Sequence, residues 1–223
     1  KSLYYESILR VLTHEIRNSI TPIASLSADL LKHADHTDIA QQREGLEVIN
    51  SQAKNLTAFL DSYHRLTHLP EPECKMISVP ELFSKLERLL QAEPGSGRIV
   101  YSIGRENKSM GKDLELHGDP NLITLALINL IRNALQAVEG QADGIVKVEA
   151  CTGPSGNPLI TITDNGSGIP AERLSVIFTP FFSTKSGGSG IGLPISQRIM
   201  HLHGGQLSVS SIPNVRTMFR MEF

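Results

Sequence analysis

Along the first third of the chain, apolar residues return at alternating intervals of three and four. Leu9, Leu12, Ile16, Ser19, Ile23, Leu26 and Leu30 form one such series; Ile39, Gln42, Leu46, Ile49, Ala53, Leu56, Leu60 and Tyr63 form a second. This is the heptad seam of packed helices, with Ser19 as a polar interruption. The polar stretch between them reads as a turn, and Thr37 or Asp38 is placed to cap the second helix. An antiparallel helical hairpin is predicted. One hairpin alone cannot bury its seam, so two should combine into a four-helix bundle, making the protein a homodimer. Pro22 lies inside the first helix, but the heptad continues in phase beyond it, so a kink rather than a break is expected.

The helical pattern stops at His68-Leu-Pro-Glu-Pro-Glu-Cys, because Pro70 and Pro72 cannot continue a helix. Residues 1–69 therefore read as one domain, 70–80 as a linker and 81–223 as a second domain. In the second, helices are predicted over 80–91, from Asp119-Pro120 to Val138, and over 193–202. Strands are predicted over 99–103, 114–117, 145–150, 159–163, 206–211 and 217–223. The whole is an α+β chain: a helical hairpin followed by an α/β sandwich with a mixed sheet under helices.

Composition narrows the function. The formal net charge is −2 and the Lys and Arg residues are scattered, which argues against a nucleic-acid surface. Cys74 and Cys151 stand far apart, with no metal-ligand spacing around them, and read as reduced thiols of a cytoplasmic protein. No apolar run approaches the ~20 residues of a membrane-spanning helix, so no membrane contact is expected in this stretch. The chain opens on Lys1 and runs at once into helix, so it reads as a fragment, leaving open a membrane anchor upstream.

Candidate chemistry is concentrated downstream. Asn129 and Asn133 lie one helical turn apart and share a face, where either amide oxygen can ligate Mg²⁺. Asp164 ends an apolar strand and opens D-N-G-S-G-I-P, whose Gly166 and Gly168 permit close backbone approach. Gly188, Gly190 and Gly192 precede a helix starting near Leu193, and backbone N–H groups there can cradle phosphates. No strand leads directly into that turn and no G-x-x-x-x-G-K-[ST] occurs, so neither a dinucleotide fold nor a P-loop fits. Far upstream, T-H-E-I-R-N places His14 on the outer helix face, with Glu15 beside it and Asn18 one turn on.

In this order the motifs T-H-E-I-R-N, N-L-I-R-N-A-L-Q-A, D-N-G-S-G-I-P, F-T-P-F-F-S-T-K and G-G-S-G-I-G-L resemble the catalytic core of a two-component sensor histidine kinase. The short segment between the glycine motifs resembles the lid of the nitrogen-regulation group. The resemblance implies a Bergerat-type ATP-binding fold and autophosphorylation of His14 from ATP with Mg²⁺. It also implies phosphotransfer to the receiver domain of a response regulator in trans. By the same resemblance Asn133 ligates Mg²⁺ with Asn129 assisting, Asp164 accepts from the adenine amino group, and Phe178, Phe181 and Phe182 anchor a lid. Lys185 of that lid is placed to reach the phosphates. Glu15 is placed to accept the imidazole proton, and the H-E-x-x-N spacing implies that Asn18 orients water for a phosphatase reaction. ATPases and serine kinases of the same fold carry a glutamate where this chain has Asn129, and an amide cannot act as that base. A catalytically silent dimeric scaffold is the other alternative.

Overall fold

The computed structural model describes residues 2–33, 38–104, 114–182 and 190–223. The chain divides into two units, Lys1–His68 and Leu69–Phe223.

The first unit is the hairpin of α1 (Ser2–Lys32) and α2 (Ile39–Thr67). Helix α1 runs through Pro22 without a break, as its unbroken heptad phase requires. Asp38 occupies the N-cap position of α2 but makes no side-chain capping bond, and Thr37 lies outside the described residues. The seam of α2 is wider than the heptad suggests. Gly45 is buried and Ile49, Gln52, Leu56 and Phe59 are half-buried, whereas Leu46, Ala53 and Leu60 are exposed. A Cβ at Gly45 would stand only 3.1 Å from Leu30, so the absence of a side chain is what lets the helices approach there. The apolar stripe thus has one half against α1 and one half without a partner in the hairpin.

The second unit opens with β1 (Lys75–Ser78) and α3 (Val79–Leu90), whose N-cap Ser78 accepts from the Glu81 N–H. Strand β1 lies in the stretch read from sequence as linker. It pairs antiparallel with β3 (Glu115–Gly118), forming a small separate sheet. Between them a 3₁₀ turn at Ser96–Arg98 leads into β2 (Ile99–Ile103). Next come α4 (Pro120–Ala137), β4 (Val146–Thr152), β5 (Pro158–Asp164) and the single turn α5 (Ala171–Leu174). Helix α6 (Gly192–Leu202) and strands β6 (Gln206–Ile212) and β7 (Arg216–Glu222) complete the unit. The main sheet runs β2-β4-β5-β7-β6; β2 is parallel to β4 and the other pairs are antiparallel.

Period-two alternation sends Val146, Val148 and Ala150 inward, together with Ile160, Ile162, Phe219 and Met221, all of them buried. Helix α4 covers this core with Leu122, Ile123, Ala126, Leu127, Leu130, Ile131, Ala134 and Leu135, also buried. Its start is tightly determined. The Asp119 carboxylate accepts from the N–H groups of Asn121 (2.8 Å) and Leu122 (3.0 Å), and also from Glu73 (2.9 Å) in the incoming chain. The Asp119 N–H in turn donates to His203 Nε2 at the end of α6 (2.9 Å), whose Nδ1 bonds the Ile199 carbonyl.

Burial pulls the Asp119 pKa upward. The N–H bonds from Leu122, Glu73 and Asn121 outweigh it and hold the carboxyl below its ordinary range. A folded pKa below the unfolded value of about 3.9 makes the stabilisation complete above that pH and progressively lost as pH falls through the folded pKa. Asp119→Ala should cost about 1–2 kcal/mol at neutral pH, read by urea unfolding. The substitution should also flatten the acid limb of the stability curve.

Candidate functional site

The inward row at one end of the main sheet is Val146, Asp164 and Thr217, paired across β4, β5 and β7. Alternation therefore aims Asp164 at the helix layer, in the same direction as Ile160 and Ile162. The row lies where the apolar core ends and a cavity of about 450 Å³ begins. Asp164 lines that cavity while only 3% exposed, and its carboxylate accepts the Gly166 N–H at 2.9 Å. A buried carboxylate at a cavity floor is suited to accepting from an amino group on a planar ligand.

Helix α4 forms one wall. Asn129, Arg132, Asn133 and Gln136 follow i, i+3, i+4, i+7 spacing and all line the cavity, with Ala137 below them. The same 3.6-residue period that buries the leucines of α4 turns this amide-rich face toward the space. Asn129 Nδ2 lies 3.4 Å from the Gly192 carbonyl, which ties α4 to the first turn of α6. Gly192 and Leu193 line the cavity here, and the unpaired N–H groups of a helix start favour anionic ligands. Ile169, Pro170, Ile177 and Phe219 supply apolar surface.

The glycines divide by role. Gly166 does not line the cavity; a Cβ there would meet the Ala137 carbonyl oxygen at 2.4 Å, so its bareness serves the packing of the loop onto α4. Gly168 lines the cavity. Gly190 has φ +64°, and its carbonyl accepts the Phe181 N–H at 3.0 Å. That bond ties Gly190 to Phe181, which is itself held at φ 65°. Phe178 and Phe181 are half-buried, whereas Phe182 is exposed and lines the cavity. Lys185 and Gly188 lie outside the described residues.

Thr217 and Arg132 are cavity residues that motif reading missed. Thr217 is buried beside Asp164, its hydroxyl 2.9 Å from that of Ser211, which also accepts the Ile169 N–H. Only its strand alternation marks it in the sequence. No cluster of three His, Cys, Asp or Glu side chains able to hold a metal occurs among the described residues. The oxygen donors of Asn129 and Asn133 instead suit a hard cation that arrives with its own phosphate and water ligands.

In the hairpin unit, His14 is an outward residue, its side chain 70% exposed. Glu15 Oε1 lies 3.3 Å from His14 Nδ1, and Asn18 Nδ2 lies 3.1 Å from the same nitrogen. The structure therefore brings the three residues together on one face.

Residues 118–223 match the family described as histidine kinase-, DNA gyrase B- and HSP90-like ATPase, so this part is an ATP-binding domain. The chain is 32% identical over 200 residues to the sensor histidine kinase ZraS of Escherichia coli, covering 89% of this chain and 41% of that protein. It is 28% identical over 223 residues to the sensory histidine kinase/phosphatase NtrB of Rhodobacter capsulatus, covering 95% and 59%. The chain thus spans less than half the length of ZraS. A crystal structure of the histidine kinase ThkA in complex with the response regulator protein TrrA superposes with a TM-score of 0.62. It has 25% identity over 99% of this chain and 62% of that one. No described helix is long and apolar enough to cross a membrane. With its helical hairpin, its ATP-binding domain and these relatives along nearly its whole length, the chain is similar to the catalytic core of the sensor histidine kinases.

Proposed function

We propose that this chain transfers the γ-phosphoryl group of ATP·Mg²⁺ to His14 and then to an aspartate of a separate response regulator. The observation that carries this reading is the exposed His14, flanked by a carboxylate and an amide, in one chain with a cavity floored by Asp164. ATP·Mg²⁺ is the substrate. Asp164 accepts from the adenine amino group, which guanine lacks at that position. The amide oxygens of Asn133 and Asn129 face the metal ion, and Gly190, Gly192 and the α6 N-terminus face the phosphates, with Gly188 and Lys185 contributing from the lid. In the transfer, the His14 Nε2 lone pair forms the N–P bond as the bond from Pγ to the ADP oxygen breaks. ADP departs with that electron pair, and the Nδ1 proton passes to Glu15.

Residues 1–69 act in this scheme as the dimerisation and phosphotransfer domain, 70–80 as the linker and 81–223 as the catalytic domain. Dimerisation is supported by the unpartnered half of the hairpin stripe, where Leu46 is 58% and Leu60 43% exposed. A response regulator as partner is supported by the complex of the relative ThkA with TrrA. A phosphatase role for Asn18 is supported by its place one turn beyond His14 and by the relative NtrB, a sensory histidine kinase/phosphatase.

Incubation with γ-labelled ATP and Mg²⁺ should give an acid-labile, base-stable label that His14→Ala abolishes. Label on the variant would overturn His14 as acceptor. Asn18→Ala should slow dephosphorylation of a phosphorylated receiver by at least about tenfold, a loss typical of a mispositioned reactant. An unchanged rate would remove the phosphatase assignment. Sedimentation equilibrium should give a dimer that Leu46→Glu with Leu60→Glu converts to monomer.

A further inference from the structure

Helix α4 contributes a cation to the cavity wall that none of the ATP motifs accounts for. Arg132 stands between Asn129 and Asn133 and lines the cavity beside them. Its guanidinium is not left to rotate freely. Glu93, in the segment joining α3 to β2, accepts from Arg132 Nε at 3.0 Å and from Nη2 with the same oxygen. Both Nη1 donors and one on Nη2 are left for another partner. Arg132 is about half exposed while paired, so this ion pair alone contributes little to stability.

We infer that Arg132 is a ligand of the terminal phosphates of the nucleotide and that Glu93 is its positioning residue. This rests on the ATP reading of the cavity. The cavity has a direction: Gly166 packs on Ala137 near the Asp164 end, and Asn129 meets Gly192 at the other. With a 1.5 Å rise per residue, Arg132 lies about 8 Å along α4 from Ala137 and about 5 Å from Asn129, nearer the phosphate end. The other cation among the described lining residues, Arg173, follows the loop that begins at Asp164 and belongs with the base end. Neutralisation is needed most where charge is densest, at the γ-phosphate, and a guanidinium offers paired donors for its oxygens. Glu93 keeps those donors beside the asparagine face before nucleotide arrives.

The test is calorimetric titration of the whole chain with a non-hydrolysable ATP analogue and with ADP, both with Mg²⁺. Arg132→Ala should weaken the triphosphate by about tenfold or more, the loss of a charge-assisted hydrogen bond, and ADP by no more than about twofold. Arg132→Lys should restore part of the triphosphate preference. Glu93→Ala keeps the cation but frees its guanidinium, so it should lose part of the triphosphate preference, by about threefold; an unchanged preference there would remove Glu93 as a positioning residue. Parallel loss of ATP and ADP in Arg132→Ala would assign the pair a purely structural role and overturn the inference. Failure of the unaltered chain to bind either nucleotide would instead overturn the ATP reading, and this inference with it.

Discussion

The convergence of three backbone N–H groups on the carboxylate of Asp119 is the constraint on which the catalytic unit depends. Two of them belong to the first turn of α4 and the third to Glu73, where the chain enters the unit. The cap therefore sets at which residue α4 begins. A helix that began one residue later would leave donors at its start without a partner inside a packed layer. The Asp119 N–H extends the clamp to His203, so the start of α4 and the end of α6 are held at one point. The space on the other side of Asp119 is equally constrained, since a Cβ at Gly118 would strike Ile123 and His203.

Once α4 is fixed, two periodicities build the cavity. The 3.6-residue period of the helix places leucines and isoleucines on the sheet and the asparagines on the neighbouring face. The two-residue period of the sheet carries the inward row from Ile160 and Ile162 to Asp164, its first charged member. The cavity lies where these two patterns run out of apolar residues together. Burying Asp164 is costly unless hydrogen bonds compensate it, and the Gly166 N–H supplies one from the loop that the strand itself leads into.

The elements legible in the sequence were those whose evidence is local. Helices α4 and α6 and the strands of the main sheet follow from periodicity and from caps within a few residues of them. Strand β1 escaped because it is four residues long, adjoins a proline-rich stretch and exists by pairing with β3. The single turn α5 is too short to carry a period. The α2 stripe is wider than its heptad because Gly45, Gln52 and Phe59 join Ile49 and Leu56 on the covered side, while Leu46 and Leu60 stay exposed. Asp164 and the asparagines stood out because motif order marks them. The Gly166 contact with Ala137, the place of Thr217 beside Asp164 and the Glu93–Arg132 pair all join residues remote in sequence, and no local pattern announces such contacts.

The surroundings of His14 add a constraint of a different kind. Glu15 and Asn18 both reach Nδ1, and one ring nitrogen cannot serve both at once. To donate to Glu15 it must carry the proton, which leaves Nε2 with a free lone pair. To accept from the Asn18 amide it must be bare, which places the proton on Nε2 in the neutral ring. In the proposed reaction only the first arrangement presents a nucleophile. In that reaction the carboxylate favours the attacking arrangement and the amide the other, and Asn18 Nδ2 lies 3.5 Å from Nε2 as well. Two neighbours within one helical turn are enough to give a single exposed imidazole two chemically distinct states. Neither depends on burial, so this site can stand on an open helix face, whereas Asp164 needs the buried floor of a cavity.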